Sequence, residues 1–244
     1  MGSKRAPRVW LQALLVLFLL VACSRELEEG QGSAGASSER ILFIGNSYTF
    51  FNEGVDKELE GLAPAATTSR IAVAGYSLED HWKDGKALDT IRNGSWEFVV
   101  LQEQSQRPVL DPAGFYRYSR EFDTAIRASG AKTILFMTWE RPDSVAFGVT
   151  TANLATAYAD VATRIGAQVA PAGQAFARSL LERPGLSLNG QDGHPTPNGT
   201  YLAACVLYGA IFQATPVGMK YVPRGLTAED AEYLRRIAAE ALGY

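Results

Sequence analysis

The chain has 244 residues, a length typical of one domain, with 23 lysines and arginines against 26 aspartates and glutamates and a net charge of −3. That balance excludes the strongly basic surface that nucleic-acid binding requires. No internal repeat is visible along the chain.

The amino terminus has the pattern of an export signal. Three basic residues stand at its start: Lys4, Arg5 and Arg8. The apolar stretch "VWLQALLVLFLLVA" follows, and it is shorter than the about 20 apolar residues of a membrane-spanning helix. A signal peptide is therefore predicted over residues 1–22. Its removal would take away three basic residues and no acidic one, which leaves a mature chain near −6.

The exit from this segment, "LVAC", resembles the lipobox of bacterial lipoproteins. The resemblance implies that Cys23 becomes a lipidated amino terminus and anchors the protein to a membrane. A plain signal peptide that happens to end near a cysteine is the alternative. Residues 23–39 are rich in Gly, Ser and Glu, which predicts a flexible linker, and residues 40–244 are expected to form the folded domain. If Cys23 is lipidated, no intramolecular disulfide can form, because Cys205 is the only other cysteine.

Five short apolar runs follow one another along the folded part. They are "ILFIG" (41–45), "SRIAVAG" (69–75), "FVVLQ" (98–102), "TILFMTW" (133–139) and "AQVAPAG" (167–173). Helical patterns lie between and after them, over residues 112–130, 150–165 and 197–213 and from Thr227 to the carboxyl terminus. This alternation predicts an α/β domain, a three-layer α/β/α sandwich with a five-stranded parallel sheet of the flavodoxin-like type. Ligands bind at the carboxyl ends of the strands in such sheets.

One serine stands at the carboxyl end of the first predicted strand. In "ILFIGNSYTF", Ser47 is either the cap of the next helix or a nucleophile held at the sheet edge. A serine nucleophile needs a base, and the chain has two histidines. His194 lies in a Gly- and Pro-rich turn two residues after Asp192, whereas His81 is expected at the surface or at the rim of a site. Trp139, at the end of the fourth run, is expected either to line the cleft or to be a core or rim residue.

Four stretches, in this order, resemble the sequence blocks of the SGNH (GDSL-type) hydrolase superfamily, and within it a poorly characterised bacterial branch. They are "FIGNSYT", "AVAGYS", "VVLQEQS" and "DGHPTPNG". The resemblance implies that Ser47 is the nucleophile and that His194 is the base. It also implies an oxyanion hole that Ser47 and Gly75 supply with backbone N–H groups and the third block with a side-chain amide.

Two positions depart from the family pattern. The third block usually carries asparagine, and this chain offers Gln102 and Gln104 instead. A glutamine amide is the same donor on a longer stem, and by position we expect Gln104 to take the role. The family's acid usually lies three residues before the histidine, where this chain has Gln191. Asp192 is one residue closer and is the expected acid; a backbone carbonyl that orients the histidine is the alternative.

The sequence thus predicts an extracytoplasmic serine esterase, periplasmic or at the cell surface. The expected substrate is an O-acetyl or other short-chain ester of a carbohydrate, either a small molecule or a polysaccharide. A lipid esterase or thioesterase is the enzymatic alternative, and a non-catalytic glycan-binding lipoprotein is the alternative from another class. No metal-ligand spacing and no phosphate-binding loop are present in the sequence, so no cofactor is predicted.

Overall fold

The computed structural model of the chain describes residues 1–3 and 38–244. The predicted signal peptide, the lipidation site Cys23 and nearly all of the predicted linker lie outside these residues. The strands are β1 Arg40–Gly45, β2 Thr67–Ala72, β3 Phe98–Leu101, β4 Lys132–Phe136 and β5 Gln168–Ala170. The helices are α1 Ser47–Phe50, α2 Val55–Leu62, α3 Leu78–Asp84, α4 Lys86–Asn93, α5 Arg107–Leu110, α6 Pro112–Ala128, α7 Thr151–Ile165, α8 Ala172–Glu182, α9 Pro197–Phe212 and α10 Ala228–Leu242. A short 3₁₀ turn spans Val145–Phe147.

The five strands form one parallel sheet in the order β2-β1-β3-β4-β5. This is the flavodoxin-like order, so the predicted fold class is confirmed. The register pairs Gly45 with Ala72 and Ile44 with Leu101, which brings the carboxyl ends of β1, β2 and β3 to one edge. The segments that follow these three strands are therefore neighbours at that edge.

Side chains alternate between the two faces of β1 because its residues are fully extended. Ile41 and Phe43 pack into a core shared with α2, α8, α9 and α10. Leu42 and Ile44 pack into a second core shared with α3, α4, α6 and α7. Both faces of the central strands are thus covered, and this explains why β1 and β3 are continuous apolar runs, whereas the edge strand β2 begins with polar residues.

The second strand ends earlier than its apolar run predicts. It stops at Ala72 rather than at Gly75. The backbone turns at Val73, whose N–H donates to the Gly45 carbonyl, and Gly75 adopts a positive φ of 74°. A residue with that φ leaves the extended conformation, so the last three residues of the run form a loop at the sheet edge.

Helix α9 fixes the end of the loop that carries His194. The helix begins at Pro197 after Thr196, whose hydroxyl accepts the N–H of Gly199 at 3.3 Å. It is apolar over nearly its whole surface and packs against α2 and α10. Cys205 is buried in it, and burial raises the pKa of that thiol. His194 therefore lies just before one of the most deeply buried helices of the domain.

Candidate active site

A tight turn between β1 and α1 presents Ser47 at the carboxyl edge of the sheet. Asn46 is the cap of α1, because its side-chain oxygen accepts the N–H of Tyr48 at 3.1 Å. Its side-chain nitrogen donates to the Tyr76 carbonyl at 2.9 Å, which ties the turn to the loop after β2. Ser47 is the first helical residue, and its hydroxyl is free of the capping role.

The structure brings Ser47, His194 and Asp192 into one chain of hydrogen bonds. The Ser47 Oγ lies 2.9 Å from His194 Nε2, and His194 Nδ1 lies 2.9 Å from Asp192 Oδ2. The other oxygen of Asp192 accepts the backbone N–H of His194 at 3.1 Å. These hydrogen bonds from His194 hold the pKa of the Asp192 carboxyl below its usual value. Two-residue spacing suits this carboxylate, because it bonds the ring and the backbone of one histidine at once.

Gln191 does not take part in this arrangement. It is exposed, and no hydrogen bond joins it to His194 within residues 38–244. Asp192 itself is largely solvated, with 68% of its side chain exposed. An exposed carboxylate interacts with a charged partner through water as well as directly, so its influence on His194 is weaker than that of a buried one.

The loop that carries His194 is held from behind by a tryptophan. Trp139 is fully buried, and its Nε1 donates to the Gly193 carbonyl at 3.0 Å. Gly193 has a φ of 81°, and a Cβ there would lie 2.6 Å from Arg141 Cγ and 2.8 Å from the Tyr48 hydroxyl. Of the two expectations for Trp139, the structure therefore supports a core residue, one that also anchors the loop of the base.

Two residues that the sequence did not reveal hold the base and its loop from the nucleophile side. The ring of Phe51 stacks on His194 with centroids 4.1 Å apart and an interplanar angle of 12°. Asn52 donates through its side-chain nitrogen to the Pro195 carbonyl at 2.8 Å and to the Thr200 hydroxyl at 2.9 Å. Asn52 has a φ of 53°, a left-handed conformation that asparagine tolerates better than most residues. Asparagine before Glu53-Gly54 was the only signal for this turn in the sequence.

Gln104 and Gly75 line the same cleft as Ser47. The side-chain oxygen of Gln104 accepts the N–H groups of Gln106 and Arg107 at 2.9 and 3.2 Å. This fixes the amide and leaves its nitrogen with one long contact, 3.4 Å to the Ser105 hydroxyl. Among the residues that the structure describes, the backbone N–H groups of Ser47 and Gly75 donate to no acceptor.

Gln102 is buried beneath the turn and does not line the cleft. Its oxygen accepts the N–H of Asn46 at 2.8 Å and the hydroxyl of Thr49 at 2.9 Å, and its nitrogen donates to the Glu103 carbonyl. The amide of Gln102 is therefore committed to supporting the nucleophile turn, and Gln104 is the glutamine that faces the cleft.

His81 is fully buried, so the expectation of a surface or rim position was wrong. Its Nε2 lies 2.7 Å from the Gly45 carbonyl, and a carbonyl oxygen can only accept, so Nε2 carries a proton. Burial lowers the pKa of this histidine, which favours its neutral form. His81 supports the end of β1 from below, and Ser47 bonds to His194 instead.

The cleft around Ser47 has a volume of about 400 Å³. Its walls are formed by Asn46, Ser47, Tyr48, Phe50, Phe51, Ala74, Gly75, Gln104, Ser105, Arg141 and His194. Arg141 is the one cation among these lining residues, and it makes two hydrogen bonds, of 2.9 and 2.8 Å, to Asp143. That pairing compensates the charge at the wall. Burial raises the pKa of Tyr48 to about 12, so its hydroxyl stays neutral.

Within residues 38–244, no group of three or more His, Cys, Asp or Glu side chains is placed to hold a metal ion. The same described part of the chain contains no helix with the length and apolar character that crossing a membrane requires.

Comparison with known proteins gives structural relatives. No protein-family model matches the chain, and no curated protein matches it. A protein from Slackia heliotrinireducens, assigned by inference to the SGNH hydrolases, is 30% identical over 71% of this chain and 98% of its own, with a TM-score of 0.63. A DUF4886 family protein from Bacteroides uniformis is 18% identical over 84% of this chain and 95% of its own, with a TM-score of 0.70. The acetylxylan esterase Axe2 from Geobacillus stearothermophilus is 15% identical over 76% and 97%, with a TM-score of 0.53.

Proposed function

The chain belongs to the SGNH hydrolase superfamily of serine ester hydrolases, and we propose that it cleaves esters with Ser47 as nucleophile, His194 as base and Asp192 as the acid that orients the base. The observation that carries this proposal is the continuous chain of hydrogen bonds from the Ser47 hydroxyl through the His194 ring to the Asp192 carboxylate. A helix cap or a surface loop needs no such chain.

The hydrogen-bond geometry supports one direction of proton transfer. Asp192 stays ionised and accepts a hydrogen bond from the Nδ1–H group of His194, so Nε2 carries the lone pair that takes the Ser47 hydroxyl proton. Ser47 Oγ attacks the ester carbonyl as its proton passes to His194 Nε2. The imidazolium then protonates the departing alkoxide, which leaves as the alcohol, and the acyl group remains bound to Ser47 Oγ. Water, deprotonated by His194, attacks the acyl group, and the returned proton restores Ser47.

Negative charge develops on the carbonyl oxygen in both tetrahedral intermediates. The Ser47 and Gly75 N–H groups and the Gln104 side-chain nitrogen are the donors that we assign to it. All three residues line the cleft, and the Gln104 amide is already fixed through its oxygen. Donors held in place before the reaction stabilise the oxyanion without reorganisation, and this is the usual source of the largest rate gain in acyl transfer.

The cleft favours a short acyl group on a sugar. Its volume of about 400 Å³ holds a small ligand, and the aromatic rings of Phe50 and Phe51 lie on its wall, where a sugar ring can pack. Proteins with a similar fold include acetylxylan esterases such as Axe2. This similarity supports a carbohydrate ester as the substrate. We therefore propose an O-acetyl or other short-chain ester of a carbohydrate as the substrate.

We propose further that the enzyme acts outside the cytoplasm as a lipoprotein, either in the periplasm or at the cell surface. This rests on the basic start, the apolar stretch and the "LVAC" exit of the amino terminus. A lipid at Cys23 followed by a polar linker would hold the domain near a membrane surface.

One experiment tests the chemistry and the substrate together. The purified chain and its Ser47→Ala variant are compared for acetate release from acetylated monosaccharides and polysaccharides, and for labelling by a fluorophosphonate. We expect acetate release and labelling by the unsubstituted chain and neither by Ser47→Ala, at the same thermal midpoint. Labelling with turnover only on long acyl chains or thioesters would favour a lipid esterase or thioesterase, and absence of labelling would favour a glycan-binding protein.

A further inference from the structure

A buried carboxyl group that the reaction does not use lies directly behind the cleft. Glu103 follows β3 between the two glutamines and is completely shielded from solvent. One of its oxygens, Oε1, accepts two backbone N–H groups, from Gln104 at 2.7 Å and from Leu78 at 3.1 Å. The other oxygen has no hydrogen-bond partner among the described residues.

The two N–H groups belong to different loops. The Gln104 group lies on the loop between β3 and α5, which carries the side-chain donor of the proposed oxyanion hole. The Leu78 group lies at the start of α3, three residues after Gly75, where the loop after β2 ends. One oxygen atom therefore joins the two loops that present the Gly75 and Gln104 donors, and these residues are distant in sequence but adjacent at the sheet edge.

We propose that Glu103 is a positioning residue of the oxyanion hole, an inference that rests on the proposed esterase function. By accepting the Leu78 and Gln104 N–H groups, its side chain sets the spacing of the donors at Gly75 and Gln104. Glu103 and its neighbour Gln102 support different parts of the site. Gln102 holds the nucleophile turn through Asn46 and Thr49, and Glu103 holds the donor loops. Displacement of donors by a fraction of an ångström weakens binding of the transition state more than binding of the substrate.

The bridge needs an accepting oxygen, and a carboxylate, a carboxylic acid and an amide each provide one. Glu103→Gln therefore keeps the bridge, whereas Glu103→Ala removes it. Asp123 offers a matched control, because it is a buried carboxyl group on α6 that lies against the start of β4, at the end of the strand away from the cleft. It accepts from the Thr133 hydroxyl and from Arg127, both at 2.7 Å, and its loss removes a buried acceptor without touching the cleft.

The experiment measures kcat and KM for p-nitrophenyl acetate, with thermal midpoints, on the full chain and on Glu103→Ala, Glu103→Gln and Asp123→Ala. We expect Glu103→Ala to lose about ten- to a hundredfold in kcat with KM changed less than about twofold. Glu103→Gln should stay within about threefold of the unsubstituted chain, and Asp123→Ala should lower the midpoint with kcat nearly unchanged. Introduced into Gln104→Ala, the Glu103→Ala change should cost clearly less than it does alone, because one of the two positioned donors is already absent.

Three results would overturn the proposal. The first is an unchanged kcat in a folded Glu103→Ala variant, and the second is an equal loss in Glu103→Gln and Glu103→Ala. The third is a kcat loss in Asp123→Ala as large as the loss in Glu103→Ala at a similar decrease in thermal midpoint. If Glu103→Ala fails to fold, Glu103→Asp replaces it, because its shorter side chain cannot reach both N–H groups, and it should show the same kcat loss. Turnover that Ser47→Ala abolishes, together with any of these results, refutes the role of Glu103 alone; absence of such turnover refutes the esterase as well.

Discussion

Replacement of Gln104 tests the proposed oxyanion hole directly, because its amide has two separable halves. The nitrogen is available to the cleft, and the oxygen accepts the N–H groups of Gln106 and Arg107 at the start of α5. Gln104→Ala removes both. Loss of one oxyanion donor typically costs about 2.7–4 kcal/mol of transition-state stabilisation, or roughly a hundred- to thousandfold in kcat. KM should change little, because the charge develops only in the transition state.

The capping half of the amide predicts a separate cost in stability. Two N–H groups lose their acceptor, but water can replace it at this partly exposed site, so we expect about 1 kcal/mol. Gln104→Glu separates the two effects, because a carboxylate keeps the accepting oxygen and replaces the donor with a second oxygen. This variant should retain the thermal midpoint and lose at least as much kcat as Gln104→Ala, since a negative charge then faces the oxyanion.

Gln102→Ala supplies the contrast. It leaves the Asn46 N–H and the Thr49 hydroxyl without their buried acceptor, at about 1–3 kcal/mol each, so its main effect should be a lower thermal midpoint. Below that midpoint we expect a kcat loss under about tenfold. Steady-state kinetics on p-nitrophenyl acetate and thermal melts of all three variants show which glutamine donates to the oxyanion. A larger kcat loss in folded Gln102→Ala than in Gln104→Ala would move the donor to Gln102, and small losses in both would mean that backbone donors alone form the hole.

Three further predictions concern the acid, the buried carboxyl group and the anchor. Asp192→Ala should lower kcat by roughly 10–100-fold, less than loss of a buried triad acid, because Asp192 is solvated and Phe51 still clamps the ring; an unchanged kcat would mean that another group orients His194. Burial raises the pKa of Glu103 from 4.5 to about 7, so its contribution to stability is fully present below about pH 4.5 and is lost as the pH rises through about 7. Urea titrations should therefore show that stability falls between about pH 5 and pH 8 by up to about 3 kcal/mol more in the unsubstituted chain than in Glu103→Gln, and equal falls would contradict the raised pKa. Cys23→Ser should release the protein from the membrane fraction, and unaltered fractionation would refute lipidation at this position.

The sequence alone determined the fold class, and it predicted the serine and the histidine that the structure brings together. Strands that are buried on both faces are largely apolar, so five apolar runs separated by helical patterns indicated a covered parallel sheet, and one strand of the structure overlaps each run. Ser47 follows such a run directly, and His194 precedes the apolar helix α9. Both positions are set by local pattern, and four blocks in a fixed order linked them to one family.

Tertiary structure decided which of the neighbouring polar residues face the cleft. Gln102 and Gln104 are two residues apart, so strand alternation could not separate them, and β3 in fact ends at Leu101 before either one. Asp192 rather than Gln191 meets the histidine because the turn at Gly193, anchored by Trp139, folds the carboxylate back onto its neighbour. The burial of His81 and the bridge made by Glu103 depend on contacts across the sheet edge between segments about 25 to 36 residues apart. Periodicity reports which side of its own strand or helix a residue occupies, but the hydrogen-bond partner of a polar side chain is set by which loops the register of the sheet brings together.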